Sequence, residues 1–204
     1  MRNDTRLDML REEARGCRAC DLWRFGTQTV FGEGASDALV MFVGEAPGDQ
    51  EDLVGRPFVG PAGQIFDRAL QEAEIDRGKV YVTNAVKHFK FLQRGRRRLH
   101  QKPDLAEIKA CHRWLAGELE AVKPGLVVTL GATAGRAVFG YDVKVLKQRG
   151  SVVALDDGTH VLITIHPSFL LRLPDEAAKA AEYGKFVADL TRVRELAPAV
   201  RLAA

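Results

Sequence analysis

Four short apolar runs constrain this chain more than anything else in it: residues 39–43, 80–86, 126–130 and 160–165. Each is of strand length. Each is predominantly apolar, as strands are when both faces of a parallel sheet are covered. Helical periodicity fills the gaps. Ile65, Phe66, Ala69, Leu70 and Ala73 share one helical face, and Ile108, Cys111, Leu115, Leu119 and Val122 share another behind a capping Asp104. Shorter helices are expected at 7–15 and 132–139, with a final one over about 175–193. Residues 21–38 and 49–61 read as irregular, and a turn at Asp156-Asp157-Gly158 makes a hairpin that feeds the last core strand. The expectation is one α/β domain over 1–204, a three-layer α/β/α sandwich around a central, mostly parallel four-stranded sheet.

The residues that close these runs are unlike the runs themselves. Glu45, Asn84, Gly131 and His166 stand at the four ends. Open parallel sheets bind ligands outside the carboxyl ends of their strands, so three chemically capable side chains are aimed at one place. The glycines Gly44, Gly48, Gly60 and Gly63 have neither phosphate-loop nor dinucleotide spacing, and no Lys-Ser or Lys-Thr pair follows them, which sets a nucleotide triphosphatase aside.

Charge is concentrated. Lys87, Lys90, Arg94, Arg96, Arg97, Arg98 and Lys102 fall in sixteen residues with no acidic one, while the rest of the chain is net negative. That distribution points to a polyanion partner and makes 88–103 a basic loop insertion. No apolar run reaches bilayer length, so no membrane is expected, and the N-terminus lacks a secretory pattern, which points to the bacterial cytoplasm. The cysteines are Cys17, Cys20 and Cys111. An odd count argues against a disulfide framework, and Cys17-x-x-Cys20 has the spacing of metal ligands or of a redox pair.

The motifs resemble those of the uracil-DNA glycosylase superfamily, specifically its iron–sulfur, family-4-like members. Gly44-Glu45-Ala46-Pro47-Gly48, Gly55-Arg56-Pro57-Phe58-Val59-Gly60-Pro61-Ala62-Gly63, Thr83-Asn84-Ala85-Val86-Lys87 and His166-Pro167-Ser168 match four of its motifs in order, and the likeness runs over about 14–190. Arg96-Arg97-Arg98-Leu99-His100 further resembles the mark of a UdgX-type branch that cross-links to uracil-containing DNA. That branch often has glutamine at position 46, where this chain has Ala46 as ordinary iron–sulfur members do.

The resemblance implies roles. Phe58 stacks on a flipped uracil, Asn84 reads its edge, and Ala46, Gly48 and Asp49 complete the uracil contacts. His166 supports charge growing on the departing base, and Glu45 orders the pocket or positions a water. His100 attacks C1′ of the sugar in place of water. Lys87, Arg96, Arg97, Arg98, Lys102, Ser168 and Arg172 hold the DNA backbone. Cys17, Cys20, His88 and Cys111 ligate a [4Fe–4S] cluster, His88 standing where the family has a cysteine, with N-terminal residues 11–25 forming a cluster-binding segment. Zinc remains open for the same Cys3His set. The implied partner is uracil-containing DNA, single-stranded preferred, met by a monomer. Two alternatives stand beside capture: a multiple-turnover glycosylase with water as nucleophile, and a non-enzymatic DNA-binding module of the same fold.

Overall fold

The computed structural model describes residues 3–202. The first two and last two residues of the expected domain lie outside the described residues. The chain runs through α1 (Asn3–Arg15), the two-residue strand β1 (Glu33–Gly34), β2 (Val40–Gly44), α2 (Asp49–Val54), α3 (Pro61–Glu72) and β3 (Tyr81–Asn84). It continues through β4 (Phe91–Arg94), β5 (Arg97–His100), α4 (Leu105–Val122), β6 (Leu126–Leu130), α5 (Ala132–Phe139), α6 (Val145–Gln148), β7 (Val152–Ala154), β8 (His160–Thr164), α7 (Ser168–Leu171) and α8 (Glu176–Leu202).

The main sheet has six strands in the order β1-β3-β2-β6-β8-β7. Its inner four, β3, β2, β6 and β8, are parallel and are the apolar runs of the sequence. The expected four-stranded sheet is therefore extended at both edges. β1 adds antiparallel to β3 and β7 adds antiparallel to β8, which makes the sheet mixed. The two residues of β1 are too few to register as a strand by pattern, and pairing with β3 creates it, while β7 is the first arm of the hairpin expected around Asp156-Asp157-Gly158.

Alternation along β2 distributes side chains to two cores. Met41 and Val43 pack with Trp114, Leu115 and Val122 of α4, while Val40 and Phe42 pack with Phe66 and Leu70 of α3 and Phe186, Leu190 and Val193 of α8. Helices thus cover both faces. Connections leave β2 and β6 in opposite directions, toward β3 and β8 respectively, so these neighbours flank the point at which strand order reverses and a crevice opens.

Two segments read as irregular have regular structure. Residues 49–54 form α2, and the basic loop is a β-hairpin, with Phe91 opposite His100, Leu92 opposite Leu99 and Arg94 opposite Arg97. Gly95 turns it at φ 60°, a left-handed value that glycine adopts without a steric cost. The cap of α4 is as expected. Asp104 accepts from the backbone N–H groups of Ala106 and Glu107, at 2.9 and 3.0 Å, and Glu107 accepts the Asp104 N–H at 2.8 Å.

Candidate active site

A cavity of 790 Å³ opens at the carboxyl ends of the parallel strands. Its lining includes Glu45, Ala46, Gly48, Asp49, Phe58, Asn84, His100, Lys102, Gly131, His166, Ser168 and Arg172. The structure thus gathers residues spread over more than a hundred positions of sequence, and it does so because β2, β3, β6 and β8 end side by side.

His166 follows β8. Its Nδ1 accepts the backbone N–H of Ser168 at 3.1 Å and lies 2.8 Å from the Ser168 hydroxyl, whose oxygen in turn accepts from Arg172 at 3.0 Å. A backbone N–H can only donate, so Nδ1 carries the lone pair and Nε2 the proton. The ring is thereby a neutral donor. Burial pushes its pKa down to about 3, and neighbouring His100 and Arg172 push in the same direction.

Phe58 and Asn84 occupy the other wall. Phe58 is a non-glycine residue at φ 57°, a strained backbone of the kind that marks functional sites. Its ring is 5.2 Å from that of Phe66 and 5.9 Å from that of His166. Two glycines make room for this arrangement. A Cβ on Gly44 would stand 2.3 Å from Asn84 Oδ1 and 2.6 Å from Phe58 Cζ, and one on Gly63 would stand 1.9 Å from the Phe58 carbonyl oxygen. Glu45 is held by the hydroxyl of Thr133, which donates to its Oε2.

The hairpin brings His100 to the mouth of this cavity. Desolvation there holds its pKa below the ordinary histidine value, opposed by the charges of Glu45 and Glu51 and assisted by that of Arg172. The hairpin is latched by Arg98. Its Nε donates to Asp49 Oδ1 and its Nη1 to Asp52 Oδ2, both at 2.6 Å, and its guanidinium lies 5.2 Å from the ring centroids of Phe89 and Phe91. Asp52 is fully buried and also accepts the N–H and hydroxyl of Thr27.

This corrects two expectations about DNA contacts. Arg98 is taken up by two carboxylates of its own chain, and the Asp49 carboxylate is turned to it. Lys87 is fully buried, its ammonium paired with Glu118, and cannot meet a phosphate. Arg96, Arg97, Lys102 and Arg172 are exposed.

Cys111 Sγ accepts the Lys87 N–H at 3.2 Å, and Cys17 Sγ accepts from the indole of Trp114 at 3.2 Å. Burial pushes the Cys111 thiol up to about 11, with Cys20 and Cys17 close enough to add to the effect, and burial raises Cys20 as well. His88 Nε2 is 3.1 Å from the Thr29 hydroxyl, which gives its one proton to the Ala14 carbonyl at 2.8 Å. Thr29 must therefore accept from His88 Nε2–H. Nδ1 is left with a lone pair, buried and without a partner.

A family model described as the uracil DNA glycosylase superfamily matches residues 31–191. The chain belongs to the uracil DNA glycosylase superfamily. It is 39% identical over 167 residues to the type-4 uracil-DNA glycosylase of Thermotoga maritima, covering 81% of this chain and 83% of that one. It is 34% identical over 193 residues to the type-4 uracil-DNA glycosylase of Pyrobaculum aerophilum, covering 90% and 91%. A type-5 uracil-DNA glycosylase from the same organism is 32% identical over 181 residues, covering 80% and 76%. The chain is thus an enzyme of this superfamily on its family-4-like branch.

Members of that branch are implied by the sequence resemblance to carry an iron–sulfur cluster, and the donor set here suits one in chemistry. The set supplies three thiols and one buried, unpartnered imidazole lone pair, and the second nitrogen of His88 is already fixed by hydrogen bonding, as in metal-ligating histidines. Among the described residues, no three of His, Cys, Asp or Glu are drawn together as metal ligands.

Sequence reading did not single out several residues that shape the glycosylase pocket. Glu51 accepts the Gly48 and Gly60 N–H groups, at 3.1 and 2.7 Å, and so clamps two backbone segments of the pocket wall together. Thr133 fixes Glu45, Asp52 anchors the hairpin, and Leu146 and Leu171 are exposed apolar residues in the lining. Glu51 carries a legible signal, an acidic residue three positions after Gly48 at a helix start. Asp52 and Thr133 carry none, because their partners are distant in sequence.

Proposed function

We propose that the chain excises uracil from DNA by cleaving the bond between the base and C1′ of the deoxyribose. The observation that carries this reading is the tautomer of His166, an Nε2–H donor beside a buried amide, Asn84, and an aromatic face, Phe58, in one pocket. A base cannot be reached inside a stack and must be flipped out. Phe58 offers a face to such a base. Asn84, with one donor and one acceptor, pairs with the edge of uracil and mismatches cytosine, which presents an amino donor where uracil has a carbonyl. As the glycosidic bond breaks, its electron pair goes to the base. His166 Nε2–H then stabilises the growing charge on O2, and removal of such an aimed donor costs roughly 3–4 kcal/mol of barrier. Because His166 is neutral, it stabilises the uracil anion without first protonating it. Water held by Glu45 completes the reaction at C1′.

A second reading concerns the nucleophile, and the placement of His100 at the pocket mouth favours it. A neutral imidazole nitrogen attacks C1′ as uracil leaves. The new N–C1′ bond forms from the ring lone pair, and the proton on the other ring nitrogen passes to solvent. The product is a substituted imidazole that leaves only if reprotonated, so the adduct persists. Exposed Arg96, Arg97, Lys102 and Arg172 would take the flanking phosphates.

One experiment separates these readings. The protein is incubated with single-stranded DNA containing one uracil, and products are resolved on a denaturing gel with released uracil measured alongside. Release defeats a purely binding module. A shifted protein–DNA band that is lost in His100→Ala supports capture; release without a band leaves water as the nucleophile. His166→Asn is expected to lower release by about 10²–10³-fold.

We further propose that Cys17, Cys20, His88 and Cys111 hold a [4Fe–4S] cluster. Bound there, it would tie the N-terminal segment, the base of the hairpin and α4 together. Near-equal iron and sulfide with visible cluster absorbance supports it, and a colourless protein with one zinc would defeat it.

A further inference from the structure

The least expected charge in the molecule is a buried one. Lys87 and Glu118 are both fully inaccessible and paired at 2.5 Å. Every donor of the ammonium is used: Nζ also donates to the Thr83 hydroxyl at 2.6 Å and to the backbone carbonyl of Asn84 at 2.7 Å. Glu118 is equally engaged. Its Oε1 accepts the Gly32 N–H at 2.9 Å and the Tyr81 hydroxyl at 3.1 Å, and both of its oxygens are 2.9 Å from the Thr83 hydroxyl. The network joins α4 to β3 and to Gly32, the residue before β1, and it ends on Asn84, which lines the pocket.

Taking two charges out of water is costly, and an apolar pair of similar volume is often neutral or stabilising in such a place. What apolar residues cannot do is grip a carbonyl. Asn84 terminates β3, and just beyond it the Ala85 and Val86 N–H groups still donate to the Gly44 and Glu45 carbonyls. Lys87 Nζ adds a grip on the Asn84 carbonyl itself from three residues downstream, and Glu118 holds the ammonium in place. On the far side of the same lysine, its N–H meets Cys111, which shares a face of α4 with Glu118 seven residues away, two helical turns.

We infer that Lys87 and Glu118 form a positioning pair for Asn84, setting the depth and angle at which its amide meets the base. They touch no substrate. The inference rests on the reading that Asn84 recognises uracil. It makes a distinct demand: disrupting the pair must impair what Asn84 does, and nothing else.

The test is a double-mutant cycle on the full-length protein with Lys87→Met, Asn84→Ala and both together. Two readouts are taken on single-stranded oligonucleotides. One is the single-turnover rate of uracil release, and the other is affinity for the same oligonucleotide bearing a tetrahydrofuran abasic analogue, which offers no base to read. The expected result is a release rate lowered by about 10- to 100-fold in Lys87→Met, as for small misplacements of reacting groups, with abasic affinity unchanged. In the Asn84→Ala background the lysine change should have almost no further effect. Multiplying effects, or a parallel loss of abasic affinity, would assign the pair to general stability and overturn the inference. Lys87→Met leaves a buried unpaired carboxylate, so Lys87→Met with Glu118→Leu is made as the folded control, and the cycle is repeated in it. If neither variant folds, the pair is a stability element and the inference fails. Absence of uracil release by the unaltered protein would instead refute the proposed function.

Discussion

Arg98→Met should unlatch the hairpin, and the structure sets the size of the effect. Two charge-assisted hydrogen bonds are lost, each at 2.6 Å. Bonds of this type contribute about 1.5–3 kcal/mol each where water is excluded. The Asp49 side chain is half exposed, so its share is largely screened, whereas Asp52 is fully buried. Asp52 keeps two hydrogen bonds from Thr27, which spares it complete isolation. The net loss is therefore about 2–3 kcal/mol, or roughly a 30- to 150-fold rise in the undocked population. A two-stranded hairpin has little stability of its own, so β4 and β5 should loosen together. Hydrogen exchange resolved by residue measures this directly: amides of residues 91–100 should exchange faster by that factor, while those of β2 and β6 stay protected. Any adduct through His100 should form correspondingly more slowly, with uracil release much less affected. Unchanged exchange in the hairpin, or undiminished adduct formation beside faster exchange, would refute the reasoning.

Three further outcomes follow from the site. His166 has a depressed pKa of about 3, against an ordinary value near 6.5, so the unfolded chain binds its proton first as pH falls. The stability contributed by the neutral ring is complete above pH 6.5 and is lost progressively toward pH 3, about 2 kcal/mol of it by pH 5; urea melts at pH 7 and pH 5 should show a smaller difference in His166→Asn. Gly44→Ala should lower uracil release by about 100-fold with a modest change in Tm, since its Cβ displaces the Asn84 and Phe58 side chains, whereas Gly63→Ala meets backbone and should lower Tm sharply. Cys111→Ser should abolish the visible absorbance of a bound cluster and lower the thermal stability of the remaining protein; a colour indistinguishable from the unaltered chain would remove Cys111 from the ligand set.

The legible part of this molecule was the part encoded by neighbours in sequence. Apolar runs ending in Glu45, Asn84, Gly131 and His166 revealed both the parallel strands and the end of the sheet at which they converge. Edge strand β1 was not legible, because Glu33–Gly34 is extended only through its partner, whereas β7 is the first arm of the hairpin expected around Asp156-Asp157-Gly158. The hairpin was obscured by its charge, although Gly95 between two alternating segments is a turn signal that counting arginines passes over. Lys87 was misread for the same reason. It sits at the head of a basic run, yet its partner is thirty-one residues away on a helix, and only the fold shows that it faces inward. Arg98 likewise cannot be told from Arg97 until the register of β5 sends alternate side chains to opposite faces.

That alternation makes the hairpin a separable module. Ten residues, Phe91–His100, meet the body through Arg98 and the rings of Phe89 and Phe91, while Asn84, Phe58 and His166 are built wholly by the central sheet and its loops. The pocket wall formed by Asn84, Phe58 and His166 and the hairpin that carries His100 can therefore change independently. Transplanting the hairpin together with Asp49 and Asp52 into another pocket would carry the latch as well as His100; transplanting it without those two carboxylates would carry only a loose arm.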